Sequence, residues 1–196
     1  MSKTITKKRV AVLISGFGSN LQALIDACAA SNYPAQIVLV ISNKPDAYGL
    51  ERAKKAGIKN ISINHKNFSS REEFDAKLTL ELEKERVDII CLAGFMRLLT
   101  ASFINRWQGR IINIHPSLLP AFKGVDAIRQ AFDYGVKITG VSVHYVVQEM
   151  DSGEIILQKP IAIGSRETLE QLEKKVHKLE HSLYPKALLL VIKKIL

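Results

Sequence analysis

An amide, an imidazole and a carboxylate set the chemistry of this chain. Asn113 and His115 lie in the run Asn113-Ile114-His115-Pro116-Ser117-Leu118-Leu119-Pro120, and Asp151 lies downstream in Met150-Asp151-Ser152-Gly153. The first run follows Ile111-Ile112, which reads as the end of a buried strand. Asn113 and His115 are alternate residues, so on a strand their side chains leave on one face. Pro116 has no N–H and ends the pairing there. The three groups suit transfer of a carbonyl unit. The amide donates to an oxyanion, the imidazole carries a proton, and a carboxylate in reach favours the imidazolium form. Each also has a plainer reading alone, His115 as a strand-end histidine and Asp151 as a turn aspartate.

A second group lies near the start. Ile14-Ser15-Gly16-Phe17-Gly18-Ser19-Asn20-Leu21 joins an apolar run to an amphipathic one. Its glycines let backbone N–H groups approach an anion, and a helix N-terminus adds partial positive charge. Ser19 and Asn20 add side-chain hydrogen bonds. The run is neither a dinucleotide fingerprint, which needs glycine at Leu21, nor a Walker loop, which needs Gly-Lys-Ser/Thr. A single phosphomonoester fits it better than a pyrophosphate. The same residues also read as a plain strand-to-helix turn capped by Ser19.

Both groups need elements to position them. Buried strands are expected at 9–15, 35–42, 60–63, 87–92 and 110–114, as near-continuous apolar runs. Helices are expected at 20–30, 48–56 and 70–85, with a short one at 100–107. Gly57 supplies a stop, and Ser70 with Glu73 a capping box. Residues 140–147 alternate, and 154–163 form a further strand, giving a hairpin-like pair. Thr168 with Gln171 caps a last helix that Pro185 is expected to kink or restart. The pattern predicts an α/β fold, an open, mostly parallel twisted sheet with helices on both faces and antiparallel strands in the C-terminal half. One domain over residues 1–196 is the simplest organisation.

Composition narrows the partners. The formal net charge is +9, from 28 Lys and Arg against 19 Asp and Glu. Such a surplus favours anionic ligands. The basic residues are scattered and aromatics make up 7%, so no nucleic-acid stripe is formed. No apolar run is long enough for a membrane helix, and the basic start has no apolar region of the secretory kind. Cys28 and Cys91 show no zinc spacing and read as reduced thiols, Cys91 as a small core residue. A cytoplasmic location is expected, with no metal.

The chain resembles the phosphoribosylglycinamide formyltransferases, folate-dependent enzymes of purine synthesis. The resemblance runs from Arg9 to about Tyr184. It rests on residues 13–21 (LISGFGSNL), 48–53 (YGLERA), 92–99 (LAGFMRLL), 113–120 (NIHPSLLP), 139–144 (TGVSVH) and 151–158 (DSGEIILQ). NIHPSLLP and the later Asp-x-Gly are shared by several formyl-folate enzymes, and Gly18-Ser19-Asn20 is the discriminating piece. Methionyl-tRNA formyltransferases carry a C-terminal RNA-binding domain and formyltetrahydrofolate deformylases an N-terminal regulatory one. This chain is expected to have room for neither.

The resemblance implies formyl transfer from 10-formyltetrahydrofolate to the amine of glycinamide ribonucleotide. Asn113, His115 and Asp151 would be catalytic. Gly18, Ser19 and Asn20, with His177, Lys178, Leu179 and Glu180 of the last helix, would bind the ribonucleotide. Arg71, Met96, Arg97, Leu98 and Leu99, together with Asn113, Val147, Gln148, Glu149, Met150 and Asp151, would bind the folate. The N-terminal half would thus serve the ribonucleotide and the C-terminal half the folate, in a monomer or weak homodimer. Val125-Asp126-Ala127-Ile128-Arg129 departs from relatives that place a histidine at the position of Asp126 or Ile128, so no contact is carried over there.

Overall fold

The computed structural model describes residues 7–194. Residues 1–6, which belong to the start read as lacking a secretory signal, lie outside the described residues. The chain runs β1 (Lys8–Ile14), α1 (Ser19–Ala29), β2 (Ala35–Ser42), α2 (Tyr48–Lys55), β3 (Asn60–Ser62), a 3-10 turn (His65–Asn67), α3 (Arg71–Lys84) and β4 (Ile89–Leu92). It continues with α4 (Ala101–Arg106), β5 (Ile111–His115), α5 (Ala127–Tyr134), β6 (Ile138–Tyr145), β7 (Ile155–Ala162) and α6 (Leu169–Lys194).

The strands form one seven-stranded sheet in the order β3-β2-β1-β4-β5-β6-β7. The pairings from β3 through β5 are parallel, and β6 and β7 add antiparallel to that edge. The expected α/β class and the antiparallel C-terminal pair are both present.

Strand alternation divides the core in two. Val10, Val12 and Ile14 of β1 face a cluster with α1, α2 and α6. Ala11 and Leu13 face the other side, against Phe74, Leu78 and Leu82 of α3 and Phe103, Ile104 and Trp107 of α4. Because both faces are covered, the strands are apolar at nearly every position. Trp107 is 2% exposed, and the Arg110 guanidinium lies 4.4 Å from its ring centroid. Cys91 is buried in the first cluster, as expected. No described helix is long and apolar enough to cross a membrane.

Two findings differ from the sequence reading. The helix α5 was not expected. It begins after Asp126, a left-handed residue with no side-chain cap bond, so the usual start signal is missing. At the other end, Pro185 does not restart the last helix, which is one element from Leu169 to Lys194. Leu172, Val176, Leu183, Ala187, Leu188, Val191 and Ile192 bury both sides of the proline. The Tyr33 hydroxyl donates to the Pro185 carbonyl at 2.6 Å. Tertiary burial here offsets the lost helical bond.

Candidate active site

The C-terminal end of β5 carries Asn113 and His115, and β6 brings His144 beside them. In the β5–β6 register Asn113 stands opposite His144 and His115 opposite Ser142. Side chains of opposed residues share a face. Asn113 Nδ2 is 3.2 Å from His144 Nε2. The loop between β6 and β7 returns Asp151 to the same place. Its Oδ2 is 3.4 Å from His115 Nδ1 and its Oδ1 is 3.5 Å from His144 Nε2. The three residues expected to be catalytic thus converge, and a fourth joins them.

From sequence, His144 is only one position of the alternating run 140–147. It is 2% exposed, and its Nδ1 meets the Tyr145 carbonyl at 2.8 Å. Its Nε2 therefore stands between the Asn113 amide and the Asp151 carboxylate. Protonated, it donates to Asp151. Bare, it accepts from Asn113.

His115 is 4% exposed and both of its ring nitrogens face acceptors. Nδ1 faces Asp151, and Nε2 lies 2.8 Å from the Phe122 carbonyl. Only a ring with N–H on both nitrogens donates to both. Phe122 and Asp126 adopt positive φ, 52° and 56°, so the segment that covers His115 departs from relaxed backbone.

Asp151 itself has φ of 50°, a region that Asp and Asn enter more readily than other side chains. Burial alone would raise its pKa. The hydrogen bond with His144, the Gly124 N–H at 2.8 Å, and the charges of His115 and His144 outweigh burial and hold it below the usual carboxylate range.

The run after His115 and the strands flanking the Asp151 loop are also joined physically. The Ser142 hydroxyl donates to the Ser117 carbonyl at 2.6 Å and accepts the Leu119 N–H at 3.1 Å. Gln158 of β7 donates to Ser142 Oγ at 2.8 Å and to the Leu119 carbonyl at 3.0 Å. The turn after His115 is therefore held by the same strand pair that carries the Asp151 loop.

At the first loop, Gly18 occupies the N-cap of α1 with φ of 75°, and no side chain caps the helix. Ser19 is the first helical residue and not the cap. A Cβ on Gly18 would stand 2.7 Å from Gly49 Cα, and Gly49 N donates to the Gly16 carbonyl at 3.0 Å. The loop is thus pressed on the start of α2, and its close approach needs both glycines. The first intrahelical bond is Gln22 N to Gly18 O, so the N–H groups of residues 19–21 have no partner within the helix.

The last helix meets this loop through Glu180. Asn20 Nδ2 donates to Glu180 Oε2 at 3.2 Å, and His177 Nδ1 is 2.9 Å from the same oxygen. Glu180 is 4% exposed, and Asn20 Oδ1 is buried without a partner among the described residues. The Glu180 hydrogen bond raises the His177 pKa, against a smaller opposing effect of burial. Lys178 is exposed and Leu179 packs on the first core, so of these four residues Glu180 meets Asn20 and His177 pairs with Glu180.

The His177 shift gives a prediction with a definite sign. A raised folded pKa adds stability that is complete below the unfolded value, near 6.5, and is lost as pH rises through the folded value. The difference in Tm between the wild type and His177→Gln is expected to be widest at pH 5.5 and to shrink toward pH 8.5. A difference that grows with pH would contradict the pairing.

The residues expected at the folate side occupy two loops above the same sheet edge. Residues 93–100 follow β4, with Met96 63% and Leu98 60% exposed. These two side chains are surface groups and not core. Arg97 is half-buried, with its Nε buried and unpartnered. Arg71 is exposed on the first turn of α3. That helix is tied to the loop by Asp75, which accepts both the Thr100 N–H and hydroxyl at 2.7 Å. Val147, Gln148, Glu149 and Met150 form the exposed rim of the Asp151 loop, and Gln148 reaches Asn105 of α4 at 3.3 Å.

The strand ends of an open sheet thus carry a helix start with no N–H partner inside the helix, an amide–imidazole–carboxylate set and two flanking loops. Residues 8–188 match the formyl transferase family, and the chain belongs to it. It is 51% identical over 185 residues to the trifunctional purine biosynthetic protein adenosine-3 of Homo sapiens, covering 94% of this chain and 18% of that protein. The chain thus spans less than a fifth of those long relatives. It is 45% identical to the phosphoribosylglycinamide formyltransferase of Haemophilus influenzae, covering 91% of this chain and 84% of that one. A solved phosphoribosylglycinamide formyltransferase from Bacillus halodurans superposes with TM-score 0.93 at 41% identity, covering 96% of this chain and 97% of that chain.

Proposed function

We propose that this chain transfers the formyl group of 10-formyltetrahydrofolate to the amine of N1-(5-phospho-D-ribosyl)glycinamide, a step of purine synthesis. One observation carries the reading: a helix start with free N–H groups and a buried Glu180 shares a sheet edge with the Asn113–His144–Asp151–His115 set. The first fits a ribose phosphate, and the second fits a carbonyl under attack. The names of the relatives reported above support formyl transfer to the glycinamide acceptor.

The substrate phosphate sits on the N–H groups of residues 18–20, with Ser19 and Asn20 adding side-chain bonds. Glu180 accepts from the ribose hydroxyls, and His177 adds positive charge. The folate lies between the 93–100 and 147–151 loops, with Arg71 toward its anionic tail. Glu180 and His177 thus join the N-terminal loop at the ribonucleotide, and Arg71 and residues 93–100 join the C-terminal loop at the folate.

The amine attacks the formyl carbon and a tetrahedral oxyanion forms. Asn113 and His115 donate to that oxygen, and loss of one such donor costs about 3–4 kcal/mol of barrier. His115 Nε2 reaches the oxyanion only after the Phe122 carbonyl moves off it. The amine loses its proton, the oxyanion collapses, the formyl C–N10 bond breaks, and N10 takes up a proton as tetrahydrofolate leaves, with the Asp151–His115 pair carrying charge between.

The decisive assay incubates the protein with both substrates and follows release of tetrahydrofolate. Formylation of methionyl-tRNA with no activity on the glycinamide would overturn the assignment. A second measurement isolates the phosphate loop. Ser19→Ala combined with Asn20→Ala is expected to raise KM for the glycinamide substrate at least tenfold and to leave KM for the folate within about twofold. An unchanged glycinamide KM would remove the loop from the site.

A further inference from the structure

We propose that Ser15 is a positioning residue that ties the phosphate loop to the folate loop and couples the binding of the two substrates. The inference rests on the substrate assignment above and goes beyond it, since Ser15 touches neither substrate in that reading.

Ser15 follows β1, and β1 lies between β2 and β4 in the sheet. The connections leave in opposite directions on either side of β1, so a crevice opens outside the strand ends at β1 and β4. The last backbone bond across that gap is Ala93 N to Leu13 O at 2.9 Å. Beyond it the two chains part, one into the glycine loop and one into residues 93–100. A side chain then spans the gap. Ser15 Oγ accepts the Met96 N–H at 2.7 Å and donates to Asn43 Oδ1 at 2.6 Å.

The contact is enclosed and fully used. Ser15 is 5% exposed and Asn43 1%. Asn43 follows β2, and its Nδ2 lies 3.2 Å from His65 Nδ1. The hydroxyl therefore has a fixed donor direction and a fixed acceptor direction. Met96 shows the contrast: its side chain is 63% exposed while its N–H is clamped. The folate loop is held at its other end by Asp75 on Thr100, so Ser15 is the anchor on the phosphate side.

Gly16 is the next residue, and its carbonyl is gripped by Gly49 N at 3.0 Å. A phosphate that orders residues 16–20 thereby fixes Ser15 and, through it, the Met96 amide. Part of the ordering cost of the folate loop is then already met when the folate arrives. Saturating ribonucleotide should lower the folate Kd about fivefold, with the reciprocal effect on the ribonucleotide Kd.

The chain has three methionines, Met1, Met96 and Met150, so 15N-methionine labelling yields few amide signals. Glycinamide ribonucleotide alone is titrated into the wild-type protein, with binding followed in parallel by calorimetry. The Met96 amide is expected to shift and to exchange its hydrogen at least tenfold more slowly at saturation. Ser15→Ala should abolish that response, raise both Kd values about fivefold and remove their interdependence. Its kcat should change less than threefold. Ser15→Thr, which keeps the hydroxyl, should restore the coupling, and Ser15→Cys serves if the alanine variant does not fold. A wild-type Met96 amide that ignores bound ribonucleotide overturns the proposal, as does an interdependence that survives Ser15→Ala. If calorimetry shows no ribonucleotide binding and the assay no turnover, the substrate assignment itself has failed and the coupling falls with it.

Discussion

Asp151→Asn is expected to lower kcat by about 100- to 1000-fold, within the usual range for loss of acid–base assistance. Both KM values should stay within about threefold. The substitution removes charge with little else. Asparagine tolerates the positive φ that Asp151 adopts, so the loop keeps its path. Its amide oxygen can still accept the Gly124 N–H. What disappears is the negative charge beside His115 Nδ1 and His144 Nε2.

The pH dependence separates this effect from a structural one. Asp151 has a depressed folded pKa, so its contribution to stability is present above the unfolded value, near 4, and is lost as pH falls through the folded value. The stability gap between wild type and Asp151→Asn should therefore close in acid. The wild-type kcat should also show an acid limb that the variant lacks. If kcat and its pH profile were unchanged, Asp151 would not tune His115.

Gly153→Ala is the second large effect. A Cβ at Gly153 would overlap the Tyr145 carbonyl oxygen and stand 2.8 Å from its carbon. Tyr145 N meanwhile bonds to the Glu154 carbonyl at 2.9 Å. The base of the Asp151 loop is thus a backbone-on-backbone contact with no side chain free to yield. Overpacking of this kind costs about 1–3 kcal/mol. The larger consequence is kinetic, because the strands can separate only by carrying Asp151 away from His115. A shift near 1 Å at such a site can cost about 100-fold in rate. Urea unfolding and steady-state kinetics on Gly153→Ala test the two parts separately. Wild-type kcat in this variant would mean that the loop base does not set the position of the carboxylate.

Much of this arrangement is legible before any coordinates. Continuous apolar runs mark strands covered on both sides, and β1, β2, β4 and β5 fall where such runs do. Glu180 is reached from the sequence only through the family resemblance, and the structure adds that it interrupts a buried stripe of Leu172, Val176, Leu183, Ala187 and Val191, where a carboxylate needs a partner. The helix α5 was hidden because only eight residues long it starts from a left-handed Asp126. The continuity of α6 through Pro185 was hidden because local propensity opposed it and burial decided it.

The role of His144 was out of reach for a different reason. Its side chain matters only because β6 pairs antiparallel to β5 in the register that sets it opposite Asn113. A one-residue slip would turn it to the other face. Nothing in the local run 139–144 distinguishes those two registers. The signal that comes nearest is the polar pair Ser142 and His144 on alternate positions of a strand that is otherwise apolar.

Trp107 is the chain's only tryptophan, and it sits in the core cluster of α3 and α4 under the Arg110 guanidinium. Light absorbed at 295 nm therefore enters the molecule at one place. Its emission reports the layer beneath residues 93–100, while the layer holding α6 and α1 is dark at that wavelength. The two faces of the sheet are optically unequal. A red shift on warming that precedes loss of far-UV helix signal would show the α3–α4 layer loosening first, a sequence of events that a single melting temperature conceals.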